Sequence, residues 1–279
     1  MSNGINSRQT EKKSIYKLEA QRELYSLAKR IRMISFVFCV IIPLVLTIFS
    51  MNEKSNLFYV YILISSILLN VFDILKDRII NKAARIQLEF DLYVFNMEWL
   101  DIFGDRSNVL SDIAKYSKKY EKRNKKQIDF WYNPDYDNYE LKEGIFLCQK
   151  ENVYWDKDIR NKYLILRLII AITIMISIIL EEVYFKRLLI ETIKLFVMLI
   201  TPLNYLIKSI ISLYKDNEVC TNIKRIINSR NKELDISYLQ TLQFFIQKHR
   251  TNNYLIPDWF NYFIEKKELN YINRINKSE

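Results

Sequence analysis

The sequence has few of the residues on which most enzymes depend. It contains one histidine, His249, and three cysteines, Cys39, Cys148 and Cys220, whose spacing fits no zinc or redox pattern. Its three glycines are widely scattered. Histidine-based metal sites, Ser-His or Cys-His catalysis and glycine-rich phosphate loops therefore have almost no material to draw on. We expect a protein that is not an enzyme and that has no metal and no cofactor.

Long apolar runs are abundant instead. Half of the 279 residues are hydrophobic and 27% are charged, and the two kinds of residue are segregated along the chain. Four runs are close to the ~20 apolar residues that a membrane-spanning helix needs. They are residues 33–50, 57–75, 163–180 and 188–214. The sequence predicts an all-α protein with four transmembrane helices arranged in two hairpins.

The polar segments around the hairpins complete a division into five parts. We expect a cytoplasmic N-terminal helix (1–32), a first hairpin (33–75), a cytoplasmic helical domain (76–162), a second hairpin (163–214) and a helical tail (215–279). Lysine and arginine are frequent in the N-terminal part and scarce in the short loops within the hairpins, which indicates cytoplasmic termini. The predicted location is the bacterial inner membrane.

The net charge of +10 raises the question of a nucleic-acid partner. Much of the positive charge lies beside the predicted membrane helices, where attraction to anionic lipid is the usual reason for it. We therefore expect membrane lipid as a partner and no DNA or RNA polymer. A basic site for a small anionic ligand remains the alternative.

Polar and charged residues follow one face of the fourth apolar run. They recur every three or four residues, as positions on one side of a helix do, and such groups usually face the bundle interior or a water-filled cavity. We expect them to line a pore, with Asn70 and Asp73 as a weaker counterpart on the second run. Snorkelling of the charged groups to the membrane surface is the alternative. The stripe consists of Glu191, Lys194, Met198, Thr201, Tyr205, Lys208 and Ser212.

Two proline positions mark changes in helix geometry. Pro43 stands in the middle of the first run, where it predicts a kink, with a gating hinge as the alternative. Pro257 predicts the start of a last helix. The aromatic residues of that helix, Trp259 among them, predict that it docks on the cytoplasmic domain.

Four cytoplasmic stretches resemble the SMODS-associated four-transmembrane effector family. They are LEAQRELYSLAKRIR (18–32), NKAARIQLEFDLYVFNMEW (81–99), WYNPDYDNYELKEGIFLCQKENVYWDKDIRNKYL (131–164) and LQFFIQKHRTNNYLIPDWF (242–260). The family is regarded as pore-forming effectors of bacterial antiphage defence, encoded beside nucleotidyltransferases that make cyclic oligonucleotide messengers. The resemblance implies a membrane effector that senses such a messenger, or a partner carrying the signal, and then permeabilises the inner membrane.

A cyclic oligonucleotide needs cations for its phosphates and aromatic faces for its bases. The central domain combines both residue types in two places, although aromatic residues in a small helical domain are also common in the core. The candidate ligand-sensing residues are Lys125, Lys126, Trp131, Tyr132, Tyr154, Trp155 and Arg160.

The expected pore requires several copies of the chain. Four helices alone enclose little water-filled space, so we expect a homo-oligomer. A protein of another class fits the same pattern: a non-conducting membrane scaffold that recruits a soluble partner through its cytoplasmic helices, above all the Trp259 helix.

Overall fold

The computed structural model describes residues 2–50, 56–123, 130–185, 189–229, 234–252 and 254–264. Within these ranges every regular element is helical and there is no β-strand, which confirms the predicted all-α class. The α-helices are α1 (Ile5–Thr10), α2 (Lys12–Phe36), α3 (Ile42–Ser50), α4 (Asn56–Phe95), α5 (Arg106–Arg123), α6 (Leu141–Phe185), α7 (Leu189–Asn228) and α8 (Ile236–Thr251).

Three helices in the described parts of the chain are long and apolar enough to cross a membrane. They are Tyr59–Phe95, Leu141–Leu180 and Ile190–Asn228. In the most apolar window of the first two, 17% and 11% of the residues are buried within the chain, against 33% in the third. The third helix therefore has the most protein around it, and the apolar surface of the other two is left largely for lipid or for other chains.

The first predicted span is divided between elements. It starts in α2, passes through a π-helical turn (Val37–Ile41) and continues as α3. In the π turn the Ile42 N–H donates to the Val37 carbonyl, five residues back. The same register would pair the Phe38 carbonyl with residue 43, which is a proline and has no N–H. The Tyr61 hydroxyl of α4 donates to the Phe38 carbonyl instead, at 2.7 Å.

The chain forms two compact units. The first comprises Met1–Arg32, Phe72–Trp155 and Val219–Asn253. Its main core packs α4 and α6 with α8 and the aromatic loop before α6, around Phe90, Tyr132 and other buried side chains. A second cluster in this unit joins α2, α4 and α5. The part of α4 in this unit thus packs against α2, α5, α6 and α8.

The second unit comprises Met33–Val71, Asp156–Glu218 and Tyr254–Glu279. It contains the predicted membrane segments, apart from residues 72–75, and the short helix at residues 258–264. One of its clusters joins Ile62 of α4 with Met198 of α7. Another joins α6 and α7 with residues 254–264.

The unit limits differ in position from the predicted divisions of the chain. The first unit includes the N-terminal segment and residues 219–253 of the predicted tail, together with most of the central domain. The rest of the tail belongs to the second unit. A division of the sequence into consecutive segments does not show this grouping, because contacts within a unit join residues more than a hundred positions apart.

Candidate functional site

A band of polar side chains joins the apolar segments of α4 and α7 in the second unit, with Ser65 and Thr201 buried and Asn70 exposed. The Thr201 hydroxyl lies 2.8 Å from the Ser66 hydroxyl and accepts a hydrogen bond from the Ser65 hydroxyl at 3.2 Å. The Lys208 ammonium donates to the Asn70 side-chain oxygen at 2.6 Å. These five residues form what we call the polar seam. It brings together Thr201, Lys208 and Asn70 of the predicted pore-lining set.

The other predicted pore-lining residues lie elsewhere. Glu191 and Lys194, near the start of α7, are exposed. Tyr205 is half-buried, and its ring centroid lies 5.7 Å from that of Phe36. Asp73 forms an ion pair with Lys76, at 2.9 Å. The stripe of α7 therefore has two parts, one in contact with helices of the same chain and one on the surface.

A buried ionic network holds the first unit together. Arg250 of α8 pairs with Asp91 of α4, and both side chains are almost fully buried. Asp91 also accepts hydrogen bonds from Gln243, at 2.8 Å, and from the Tyr132 hydroxyl, at 2.7 Å. Burial alone would lower the pKa of Arg250, but the Asp91 carboxylate, with Tyr132 and Tyr25 adding to its effect, outweighs burial and the pKa is raised. Burial, with the Asp91 charge added to it, raises the pKa of Tyr132 well above its ordinary value.

A second buried carboxylate, Glu89, lies two residues before Asp91 on α4. Glu89 receives a bidentate pair of hydrogen bonds from Arg106 of α5, both at 2.8 Å. It also pairs with Lys17 of α2 at 3.4 Å. Burial lowers the pKa of Lys17, although the Glu89 charge opposes that effect. These contacts fix α2 and α5 to α4.

Most of the predicted ligand-sensing residues take part in internal packing. Lys125 and Lys126 lie outside the described residues. Tyr132 is part of the core, with its ring stacked on Phe90 at 6.1 Å between centroids. Trp131 is partly buried against the same cluster.

Tyr154 is the predicted sensing residue with the best surroundings for an anion. Its hydroxyl donates to the Asn228 side chain, and its ring lies under the Lys224 ammonium, 4.0 Å from the centroid. The Lys150 ammonium is 5.7 Å from the same ring. Tyr154 and both lysines are half-buried, and Trp155 beside them is exposed. We call Lys150, Tyr154 and Lys224 the Tyr154 patch.

Arg160, another of the predicted ligand-sensing residues, belongs to a buried network of polar contacts in the second unit. Its guanidinium pairs with Asp216 of α7 at 3.1 Å and donates to the Tyr254 carbonyl at 3.4 Å. Asp216 accepts from the Tyr254 N–H at 3.1 Å, and the Ser209 hydroxyl lies 2.7 Å from the Tyr254 hydroxyl. All four residues are buried. Arg160 is thus held by protein groups that join α6, α7 and the chain after α8.

The sequence analysis did not identify Glu89, Asp91 or Lys224 as residues of a site. Glu89 and Asp91 interrupt an apolar stretch, QLEFDLYVF, and a carboxylate within such a stretch is a signal of a buried ion pair. Nothing in the local sequence points to Lys224 as a neighbour of Tyr154. Among the described residues, no three His, Cys, Asp or Glu side chains are grouped so that they could hold a metal ion.

The helical class, the apolar spans and the polar seam define a membrane protein. The chain belongs to the family of the SMODS-associating 4TM effector domain, which it matches over residues 3–278. This confirms the resemblance found in the sequence. The chain is also similar to a protein of Bacillus cereus strain VD146 named as a probable CBASS effector molecule, with 25% identity over 173 residues. That match spans 59% of this chain and 58% of the relative. No solved structure gives a significant match.

Proposed function

We propose that the protein is a membrane-permeabilising effector of bacterial antiphage defence that is switched on by a cyclic oligonucleotide signal. Membership of the effector family and the similarity to a probable CBASS effector support the defence role. Residues 33–50 would supply the fourth span beside the three long apolar helices. The activity is physical opening of the inner membrane rather than catalysis, and the two termini are on the cytoplasmic side.

The polar seam is the observation that carries this proposal. A polar or charged group in the hydrocarbon region costs free energy, and such groups usually face a bundle interior or a water-filled cavity. Thr201 and Lys208 meet Ser66 and Asn70 on the neighbouring helix. A seam of hydroxyl, amide and ammonium groups between two apolar helices is a path that water and ions can follow once the helices move apart.

Assembly of several copies accounts for the rest of the α7 stripe. Glu191 and Lys194 are exposed on a helix whose other exposed residues are mostly apolar. Association of α7 helices from several chains would remove these charges from lipid and place them around a common axis. The largely exposed surface of α6 would then face lipid or a neighbouring chain.

The Tyr154 patch is the surface that best fits the signal. Two ammonium groups lie beside one aromatic ring, so the patch would offer cations to phosphates and an aromatic surface to a base. The patch lies in the first unit, between α6 and α7. Binding there would shift the equilibrium toward the open form only if the open form binds the messenger more tightly.

The test is leakage of dye and ions from liposomes that contain the purified protein. Each member of a panel of cyclic oligonucleotides is added in turn, with linear oligonucleotides of the same composition as controls. Leakage with one cyclic compound supports the proposal, and loss of that response in Lys224→Glu places the signal at the Tyr154 patch. Correct insertion without leakage under any condition would contradict it and favour a non-conducting scaffold.

A further inference from the structure

The last described element is a short helix with one buried side. Residues 258–264 are helical, and the N–H groups of Phe260 and Asn261 both donate to the Pro257 carbonyl at its start, at 3.1 and 3.3 Å. Phe260 and Ile264 are buried. The Phe260 ring meets Tyr163 of α6 edge to face, with 4.9 Å between centroids. The inner face of this helix thus has its partner in the second unit.

The outer face of the same helix is aromatic and open. Trp259, Tyr262 and Phe263 are 62%, 66% and 61% exposed. A face of this kind on a short water-facing helix would be unusual, because contiguous exposed apolar surface marks a site of contact with another molecule or with a membrane. The position of this helix in the protein determines which molecule can contact its aromatic face.

The chain before the helix fixes that place. Tyr254 is bound through its N–H, its carbonyl and its hydroxyl to Asp216, Arg160 and Ser209 respectively, all of them buried. The three partners come from α6 and α7. Since only two residues separate Tyr254 from Pro257, the helix cannot move far from these two helices.

The contacts lie at one end of the apolar surface of the second unit. Tyr163 begins the apolar run of α6, and Leu213, also packed in this cluster, is near the end of the run of α7. Arg167 of α6 donates to the Tyr163 hydroxyl at 2.6 and 3.0 Å, so its charged group turns back toward the end of the run. Long cationic side chains take this direction to reach the membrane surface. Exposed large apolar residues surround this level, namely Ile165, Leu168, Ile169, Ile207, Ile211 and Tyr214.

From this placement we propose that the 258–264 helix is a membrane-interface anchor. Its outer face binds the lipid headgroup region with Trp259, Tyr262 and Phe263, while its inner face packs on Tyr163. Tryptophan and tyrosine concentrate at this depth because their rings are apolar and their N–H and O–H groups can still reach water. The helix packs on Tyr163 and Leu213, next to the exposed apolar residues of α6 and α7, and this position favours lipid over a soluble protein as the occupant. This lipid contact does not depend on the proposed permeabilising activity.

The fluorescence of Trp259 can show whether lipid contacts the aromatic face of the helix. The full chain is placed in vesicles of phosphatidylcholine that carries bromine near the headgroup end of the acyl chain, and tryptophan emission is compared with that in unbrominated vesicles. The same measurement on Trp259→Phe isolates the contribution of Trp259, because an exposed side chain can be changed without loss of the fold. Trp155→Phe is the matched control, since Trp155 is also exposed but belongs to the first unit.

The expected result is that shallow bromines quench most of the Trp259 emission, and that this quenchable part disappears in Trp259→Phe and persists in Trp155→Phe. Iodide in the aqueous phase should quench the same component weakly. Strong iodide quenching of Trp259 with no effect of the brominated lipid would overturn the proposal. That outcome would show that the aromatic face points to water and is free for a protein partner.

Discussion

Thr201 contributes to the packing of α7 against α4. It is fully buried, and its hydroxyl joins two serine hydroxyls of α4. Thr201→Val keeps the shape and removes the hydrogen bonds. We expect a loss of about 1 kcal/mol in the free energy of unfolding, the scale measured for interhelical hydrogen bonds in membranes.

The control for this change is Thr173→Val. Thr173 is in the apolar run of α6, is exposed, and its hydroxyl donates only to the Ile169 carbonyl of its own helix at 2.9 Å. Unfolding in mixed detergent micelles measures both variants. Equal losses for Thr201→Val and Thr173→Val would mean that the seam adds nothing to helix association.

The spacing of polar residues predicted that Thr201 and Lys208 share a helical face, but it did not identify what that face meets. Periodicity predicts the direction in which a side chain points, but it does not predict which residue the side chain contacts. The seam joins positions 135 to 138 residues apart in sequence. A contact of that range depends on how whole helices associate, so the sequence, which favoured a pore lining with snorkelling as the alternative, did not identify the partners on α4.

In the first unit, Asp91 is the buried polar residue whose contacts join several parts of the chain. Asp91→Asn keeps the size of the side chain and leaves the buried Arg250 guanidinium without a counter-charge. We expect destabilisation of about 3–5 kcal/mol, as is typical when one partner of a buried ion pair is removed. Thermal and denaturant unfolding of the detergent-solubilised protein check this.

Two further variants separate charge from packing at this position. Asp112→Asn breaks the Lys82–Asp112 pair, 3.0 Å long and partly exposed, and should cost less than about 1 kcal/mol. Arg250→Gln combined with Asp91→Asn should recover part of the lost stability, because no unpaired charge is then buried. A double variant as unstable as the sum of its single variants would contradict this account.

Among the elements, the π turn in the first apolar segment shows how a proline is accommodated in an apolar helix. The sequence predicted a kink at Pro43 and left open a gating hinge. The irregularity is the π turn at Val37–Ile41. The Tyr61 hydroxyl donates to the Phe38 carbonyl, to which the proline cannot donate because it has no N–H. The tyrosine could not be assigned to this role from sequence, because it depends on the register between two helices.

This arrangement predicts an energetic coupling between Pro43 and Tyr61. Tyr61→Phe should cost about 1 kcal/mol in the free energy of unfolding when residue 43 is proline, because a carbonyl then loses its hydrogen bond in an apolar environment. In the Pro43→Ala background the N–H of residue 43 can replace the tyrosine, so the same change should cost little. The control is Tyr214→Phe, which alters an exposed tyrosine of α7. The same cost for Tyr61→Phe in both backgrounds would show that the hydroxyl does not compensate for the proline.

Over the whole molecule, the features set by composition were predictable and those set by long-range association were not. Apolar run length gave the helical class and three of the expected spans. The order of the four motifs quoted from the sequence gave the family. The aromatic residues were harder to assign, since Tyr132 and Tyr154 occur in similar surroundings in sequence. Tyr132 is in the core, where its hydroxyl donates a hydrogen bond to Asp91, 41 residues away. Tyr154 is only partly buried against the same cluster and has two lysines beside its ring.

The exposed charges of α7 give the last prediction, which concerns the assembled protein. If copies of α7 surround a common path, Lys194→Glu places one new negative charge per chain beside it and removes one positive charge. A ring of like charges sets the sign of the ions that pass, so the reversal potential in a salt gradient should shift toward cation selectivity. Lys118→Glu makes the same charge change on the exposed face of α5 and should leave the permeability ratio unchanged. Planar-bilayer recordings of the activated protein measure both variants. An equal shift in both would mean that the ratio follows net charge alone, and no shift in either would remove the Glu191–Lys194 end of α7 from the conducting path.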